Sequence, residues 1–244
     1  MNKMLALAFL LVSSLAIAGP AERPGITVEL PASLEGHRAE YERLITSSRD
    51  EVLAWFAKSG LPMEAADLID RAVVYLDTES LRRGVAKVFG DDPQKIPDTF
   101  SGTVNGKTLY VASEEAFHPI WTKLYPDWPW SRRSYRSLIV HELAHRAHAY
   151  VSSRRTGSED AMGPSWFFEG LAVMCAGQFA AGKKPMNATE ILSHVGGSKA
   201  PKVSYPLYGH LVRSLALFIP VKTLVGKAAE PGFPRELLRV VNKP

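Results

Sequence analysis

The sequence predicts an α+β protein, because its strand-like and helix-like segments occupy different parts of the chain. Short runs of β-branched and aromatic residues fall before residue 115, whereas longer runs with helical spacing of apolar residues dominate after residue 131. Such segregation is typical of α+β proteins, while strict alternation would indicate a parallel α/β sheet. We therefore expect a small N-terminal mixed sheet followed by a helical C-terminal lobe.

The first part of the chain supplies two predicted helices with a strand between them. Residues 34–57 space their apolar side chains as an amphipathic helix does. Residues 72–76 (AVVYL) are β-branched and aromatic, which favours a strand. The helix that follows is expected to begin near Thr78 or Ser80, both suitable N-caps, and to end at Gly90.

A hairpin and then several helices are predicted for the rest of the chain. Asn105-Gly106 lies between two β-prone runs, which is a strong indication of a hairpin turn. Ser131 can cap a long helix over residues 131–151, and residues 166–180 (WFFEGLAVMCAGQFA) begin a second, more apolar helix. Shorter helices are expected over residues 187–195 and 206–218.

Residues 1–18 have the features of a secretory signal peptide. Lys3 provides a basic start, an uncharged apolar run follows, and residues 16–18 (AIA) form a small-x-small ending. The apolar run is too short to span a bilayer comfortably. We therefore expect cleavage after Ala18, an exported protein that is periplasmic or secreted, and no stable membrane insertion after cleavage.

The composition is that of an ordinary globular protein. Loss of Lys3 with the signal peptide leaves 28 of the 29 basic residues against 25 acidic ones in this 244-residue chain. This mild balance argues against nucleic acid as a partner. Cys175 is the single cysteine, so no disulfide forms within the chain, and its apolar neighbours indicate a buried, inert thiol. Residues 19–65 are expected to form an extended segment and a helix, and residues 66–244 the main domain.

The segment HELAHRAHAY, residues 141–150, indicates a metal site. On an α-helix, His141 and His145 lie one turn apart on the same face, so both imidazoles can reach one ion. Glu142 lies beside them at a different angle, from which its carboxylate can reach a metal-bound water. The flanking residues are apolar, and a buried helix rarely carries free imidazoles and a carboxylate without a partner.

Two histidines do not complete a metal site, so a third ligand is needed. His148 lies a further turn along the same face, where joining a tetrahedral site is awkward. We expect it behind the ligands or facing substrate, and it is the alternative third ligand. Glu169 is the better candidate, because it is an acidic residue in the apolar run WFFEGLAVM and its burial calls for a nearby cation. Two imidazoles and one carboxylate would leave a fourth zinc position open for water.

The motifs HELAH and WFFEGLA together resemble those of the gluzincin zinc metallopeptidases, in particular the thermolysin-like, peptidase MA-like domains. The resemblance covers about residues 70–225 and implies a zincin-like fold that holds one zinc ion per chain. It implies His141, His145 and Glu169 as zinc ligands. It also implies Glu142 as the general base that deprotonates the attacking water, with a peptide or protein as the substrate.

The resemblance also implies roles for residues and a strand near the zinc ligands. A tyrosine or histidine on a later helix would stabilise the oxyanion, which here means Tyr205, with Tyr208 and His210 as alternatives. Relatives have an acid four residues after the glutamate ligand that holds a zinc histidine. Val173 stands at that position here, so another group would have to replace the acid or the site is weaker. Substrate would add to an edge strand, for which GKTLYVAS is the candidate, although an interior place in the sheet fits equally.

Three functions are consistent with these residues. The first is a secreted zinc metallopeptidase that hydrolyses peptide bonds. The second is a catalytically weak or inactive zincin-fold binding or scaffold protein, against which the intact Glu142 argues. The third is a zinc amidase acting on cell-wall peptides, which would use the same residues.

Overall fold

The computed structural model describes residues 25–195 and 204–241, which form a small sheet and a larger set of helices. The predicted signal peptide, residues 1–18, lies outside the described residues. The strands are β1 (Thr27–Glu29), β2 (Arg71–Tyr75), β3 (Gly102–Asn105) and β4 (Thr108–Ala112). The helices are α1 (Arg38–Lys58), α2 (Ala65–Leu68), α3 (Thr78–Phe89), α4 (Glu114–Leu124), α5 (Arg132–Thr156), α6 (Ser165–Cys175), α7 (Ala188–Val195), α8 (Tyr205–Phe218), α9 (Val221–Lys227) and α10 (Arg235–Val241).

The sheet mixes parallel and antiparallel pairs in the order β1-β2-β4-β3. Strand β2 is parallel to both β1 and β4, whereas β3 and β4 form an antiparallel hairpin. This small mixed sheet with mostly helical surroundings is compatible with the predicted α+β class. The predicted hairpin is confirmed: Asn105 pairs with Thr108, and Gly106 takes the left-handed conformation that such a turn requires, with φ 56°.

The suggestion that GKTLYVAS forms an edge strand is wrong. Strand β4 contains most of this segment and lies between β2 and β3. After β2, helix α3 carries the chain past the position next to β2, and β3 forms as the outermost strand. The hairpin then turns the chain back, and β4 fills the position between β2 and β3. The edge beside helix α5 therefore belongs to β3.

The start of one helix differs from the sequence-based expectation. Asp77, rather than Thr78 or Ser80, caps α3: its side chain accepts the Ser80 backbone N–H at 2.7 Å, and Ser80 Oγ accepts the Asp77 N–H at 3.4 Å. Ser80 is thus the reciprocal partner in a capping box. Gly90 ends this helix as expected, with φ 72°.

Helix α4 was not predicted. Ser113 caps it by accepting the Ala116 N–H at 3.2 Å, and Phe117 and Trp121 form its buried face. Pro119 lies inside the helix. Proline usually interrupts helices, and burial of two large aromatic side chains outweighs that local preference here.

Helix α5 is central to the packing. It contacts helix α1, helix α6 and strand β3. Ile45, Val52 and Phe56 of α1 share one hydrophobic core with Ile139 and Leu143 of α5, and all five are fully buried. Each such side chain contributes about 1.5–3 kcal/mol by leaving water. Within the part of the chain that is described, no helix combines the length and apolarity needed to cross a membrane.

Candidate metal centre

Helix α5 presents His141 and His145 one turn apart on the same face. The helix begins after Ser131, whose backbone N–H donates to Ser134 Oγ at 3.2 Å, and ends at Gly157 in the left-handed conformation, with φ 79°. The Nε2 atoms of His141 and His145 are 3.0 Å apart, and their ring planes are nearly perpendicular at 83°. Both Nε2 atoms therefore converge on one point beside the helix.

Glu169 of α6 completes a cluster with the two histidines. Its Oε2 atom lies 3.2 Å from Nε2 of His141 and 3.2 Å from Nε2 of His145. In a tetrahedral zinc site with bonds of about 2.0 Å, neighbouring ligand atoms are roughly 3.3 Å apart. The three atoms thus have the mutual separations that a single ion requires, and the cluster is compatible with a bound metal ion.

The charge balance of the cluster also favours a cation. Burial by itself would raise the pKa of Glu169, but its contacts with His141 and His145 outweigh burial and lower the pKa to about 2. The carboxylate is therefore ionised at neutral pH, and it faces two imidazole nitrogens. Converging acceptor atoms repel one another unless a proton or a metal ion lies between them.

Glu142 lies beside the cluster without joining it. Among the described residues its carboxylate has no hydrogen-bond partner. Burial is the main cause that raises the pKa of Glu142 to about 7, with His141 opposing the shift and Glu169 reinforcing it. A carboxyl group with a pKa near 7 can both accept and release a proton at neutral pH.

A cavity of about 560 Å³ opens in front of the cluster. Strand β3 forms one wall, where a Cβ atom placed on Gly102 would lie only 3.1 Å from Cγ of Glu142. Helix α4 contributes an aromatic wall on which Trp121 stacks against Phe179 with ring centroids 5.5 Å apart. Glu142 and the three cluster residues all line this cavity.

Tyr205 is placed in this cavity, whereas the two alternatives are not. The Tyr205 ring meets the His141 ring edge-on, with centroids 5.6 Å apart. Burial, reinforced by the charges of Glu169 and Glu142, raises the pKa of Tyr205, so its phenol remains a proton donor. Tyr208 is buried and His210 lies elsewhere on α8, and neither lines the cavity.

Close packing of α6 against α8 brings Tyr205 to the cluster. A Cβ atom on Gly170 would lie 2.5 Å from the Tyr208 carbonyl oxygen, and one on Gly209 would lie 2.2 Å from Cγ1 of Val173. Only glycine at both positions permits this approach.

Of the two positions expected for His148, behind the ligands or facing substrate, the second is wrong, because His148 does not line the cavity. It is buried against Phe167, with ring centroids 5.7 Å apart. Neither ring nitrogen has a hydrogen-bond partner in the described part of the chain. Burial, with a smaller effect of His145, lowers the pKa of His148 to about 3. It is therefore a neutral core residue.

Two cavity residues were missed in the sequence. Tyr125 follows the unpredicted helix α4, and burial, together with the charge of Glu169, raises its pKa to about 12. Gln178 follows α6, and its Oε1 lies 3.1 Å from Nδ1 of His141. Neither Tyr125 nor Gln178 belongs to a recognisable motif, so no local pattern indicated them.

Val173, which stands at the position where the resemblance implies an acid, is fully buried in the core.

Comparison with known proteins does not assign a family. No protein-family model, no curated protein and no solved structure matches this chain. The resemblance to gluzincins therefore depends on the two motifs alone. Function has to be argued from the geometry of the centre.

Proposed function

We propose that this protein is a secreted zinc metallopeptidase of the gluzincin type, with a zincin-like fold, that hydrolyses peptide bonds. One observation carries the proposal. His141, His145 and Glu169 converge at the separations that a tetrahedral ion requires, and Glu142 lies next to them in an open cavity. A structural metal site would have no need of either the free carboxylate or the cavity.

The donor set favours zinc over other common ions. Mg²⁺ and Ca²⁺ prefer oxygen ligands in larger numbers, whereas two imidazoles and one carboxylate are typical of catalytic zinc. His141 and His145 supply the nitrogens and Glu169 the oxygen. When bound, zinc lowers the pKa of a water molecule and polarises a carbonyl group.

Glu142 performs the proton transfers in this proposal. Its carboxylate accepts the proton of the attacking water, and it then delivers that proton to the amine that leaves. The group is a base before attack and an acid afterwards, and in the metal-free protein burial raises its pKa to about 7. General acid–base catalysis of this kind contributes typically 10²–10⁴-fold to the rate.

The cavity walls orient the substrate. The phenol of Tyr205 is protonated and can donate to the oxyanion that develops on the attacked carbonyl. The outer edge of β3 offers backbone groups to which an extended peptide can pair as an added strand. Gly102 has no side chain between this edge and Glu142, so the peptide backbone can lie close to the base.

The first experiment measures zinc per chain in the wild-type protein without its signal peptide. We expect one ion in the wild type and its loss in Glu169→Ala. Glu159→Ala is the matched control, because Glu159 lines the same cavity but is not part of the cluster. If the wild type holds no zinc, the proposal fails. If Glu169→Ala keeps its zinc firmly, the ligand set is wrong.

The second experiment separates enzyme from binding protein. Glu142→Gln should keep zinc and lose cleavage of a protein and peptide library by at least about 10²-fold. Cleavage that survives this change contradicts the role of Glu142. Zinc binding without cleavage in the wild type would leave the scaffold alternative. Release of amines from cell-wall peptides, with folded and unfolded proteins left intact, would indicate the amidase.

A further inference from the structure

The hydrogen bond between Gln178 and His141 has a defined direction. Nε2 of Gln178 donates to the Ser137 carbonyl at 3.3 Å, so the amide oxygen faces His141. Oε1 lies 3.1 Å from Nδ1, and an oxygen acceptor there requires Nδ1 to carry the ring proton. In the neutral ring, Nε2 of His141 then carries the lone pair, on the side that faces Glu169 and His145. This is the tautomer that a metal ligand needs.

The backbone holds Gln178 firmly in this position. Its N–H donates to the Val173 carbonyl at 3.1 Å, and its carbonyl accepts from the Arg213 guanidinium on α8. Gly177 and Phe179 on either side are both left-handed, with φ 63° and 53°. This conformation costs about 1–2 kcal/mol for a residue such as Phe179, and it persists only where the surroundings enforce it.

An alternative acceptor for His141 is absent among the described residues. Val173 is apolar and buried in the core, where its Cγ1 packs against Gly209. The Ser137 carbonyl accepts from the Gln178 amide and makes no hydrogen bond with the His141 ring. Gln178 is therefore the group that meets Nδ1 of His141.

We propose that Gln178 is the positioning residue for His141, and that its neutral side-chain carbonyl holds the ring orientation and tautomer in which Nε2 binds the metal ion. The inference rests on the metal site of the proposed function. Partners of this kind typically change metal affinity by 10–100-fold. A neutral amide polarises the imidazole less than a carboxylate would, because hydrogen bonds to charged acceptors are stronger.

Two substitutions isolate this contact. Gln178→Met and Gln178→Glu both remove the amide N–H that donates to Ser137, and both keep a side chain of similar length. Only Gln178→Glu keeps an oxygen that can accept from His141. Val173→Ala is the matched control, since it loosens the same end of α6 without touching Nδ1. The readout is the zinc dissociation constant of the full mature protein, measured by competition with a chromogenic chelator, together with the unfolding midpoint.

The expected result is a zinc affinity about 10–100-fold weaker in Gln178→Met. Gln178→Glu should bind within about threefold of the wild type or more tightly, and Val173→Ala should bind as the wild type does. Equal weakening in Met and Glu variants would overturn the proposal, because the bond to Ser137 would then be the important one. Wild-type affinity in Gln178→Met, or an equal loss in Val173→Ala, would also overturn it.

The same variants distinguish a failure of this inference from a failure of the proposed function. If the wild type binds no zinc, the metal site itself fails and the inference fails with it. If the wild type binds and cleaves while Gln178→Met is unchanged, only the inference fails. Should Gln178→Met not fold, Gln178→Asn provides the comparison, since its amide is one methylene too short to reach Nδ1. Wild-type affinity in that variant would overturn the role of Gln178.

Discussion

Buried His148 makes the stability of this protein depend on pH in a predictable way. Its ring is 1 % exposed and unpaired within the described residues, and burial lowers its pKa to about 3. In the unfolded chain its pKa returns to about 6.5. Between these values the unfolded chain binds a proton that the folded protein does not. The free energy of unfolding therefore falls as the pH drops below about 6.5.

The size of the effect depends on the pKa of His148 in the unfolded chain, because its pKa in the folded protein lies well below the pH range of the experiment. From pH 7 to pH 5, His148 alone should lower the free energy of unfolding by about 2 kcal/mol, at 1.36 kcal/mol per pKa unit. His148→Leu removes this pH-dependent contribution. Any effect of the substitution on packing changes the free energy of unfolding by the same amount at every pH. The difference between the two proteins should therefore shift by about 2 kcal/mol over this interval.

Urea unfolding followed by circular dichroism at pH 7, 6 and 5 measures this shift. Excess chelator in every sample removes the pH dependence of metal binding. His37→Leu is the control, because it removes an exposed histidine in place of the buried one. Parallel stability curves for wild type and His148→Leu would refute the reasoning, since they would mean that folded His148 accepts its proton at an ordinary pKa.

Three further predictions concern the cavity and the helix packing. Gly102→Val should lower kcat/KM by more than about tenfold while zinc content stays unchanged, because its Cβ would lie 3.1 Å from Cγ of Glu142; unchanged kcat/KM would mean that β3 does not confine the base. Tyr205→Phe should lower kcat by about 10²–10³-fold with little change in zinc affinity; an effect confined to KM would remove the oxyanion role. Gly170→Ala should destabilise the protein by about 1–3 kcal/mol in urea unfolding, because the added methyl would lie 2.5 Å from the Tyr208 carbonyl; wild-type stability would show that α6 and α8 can separate freely.

Local sequence patterns were sufficient for the residues whose spacing defines them. His141 and His145 were predicted on one helix face, and the structure places their Nε2 atoms 3.0 Å apart. Glu169 was singled out by the cost of burying a lone carboxylate, and it lies 3.2 Å from both. Helical periodicity and desolvation act over a few residues, so they can be evaluated without the fold.

Other expectations failed where packing outweighed a local preference. Helix α4 was not predicted; it contains Pro119, and the burial of Phe117 and Trp121 maintains the helix. Spacing left His148 either behind the ligands or facing substrate, and Phe167 of α6 covers it. A helical face can be derived from spacing, whereas the element that covers it depends on the whole chain.

The sequence by itself was enough to group two imidazoles with one carboxylate and to place Glu142 beside them. It also separated the part of the chain that forms strands from the part that forms helices. The tertiary structure decided which groups surround that pairing. Tyr205 reaches the cavity because Gly170 and Gly209 let α6 and α8 approach closely. Gln178 reaches His141 across 37 residues of sequence. Such contacts depend on how the helices pack, and no spacing within one helix specifies them.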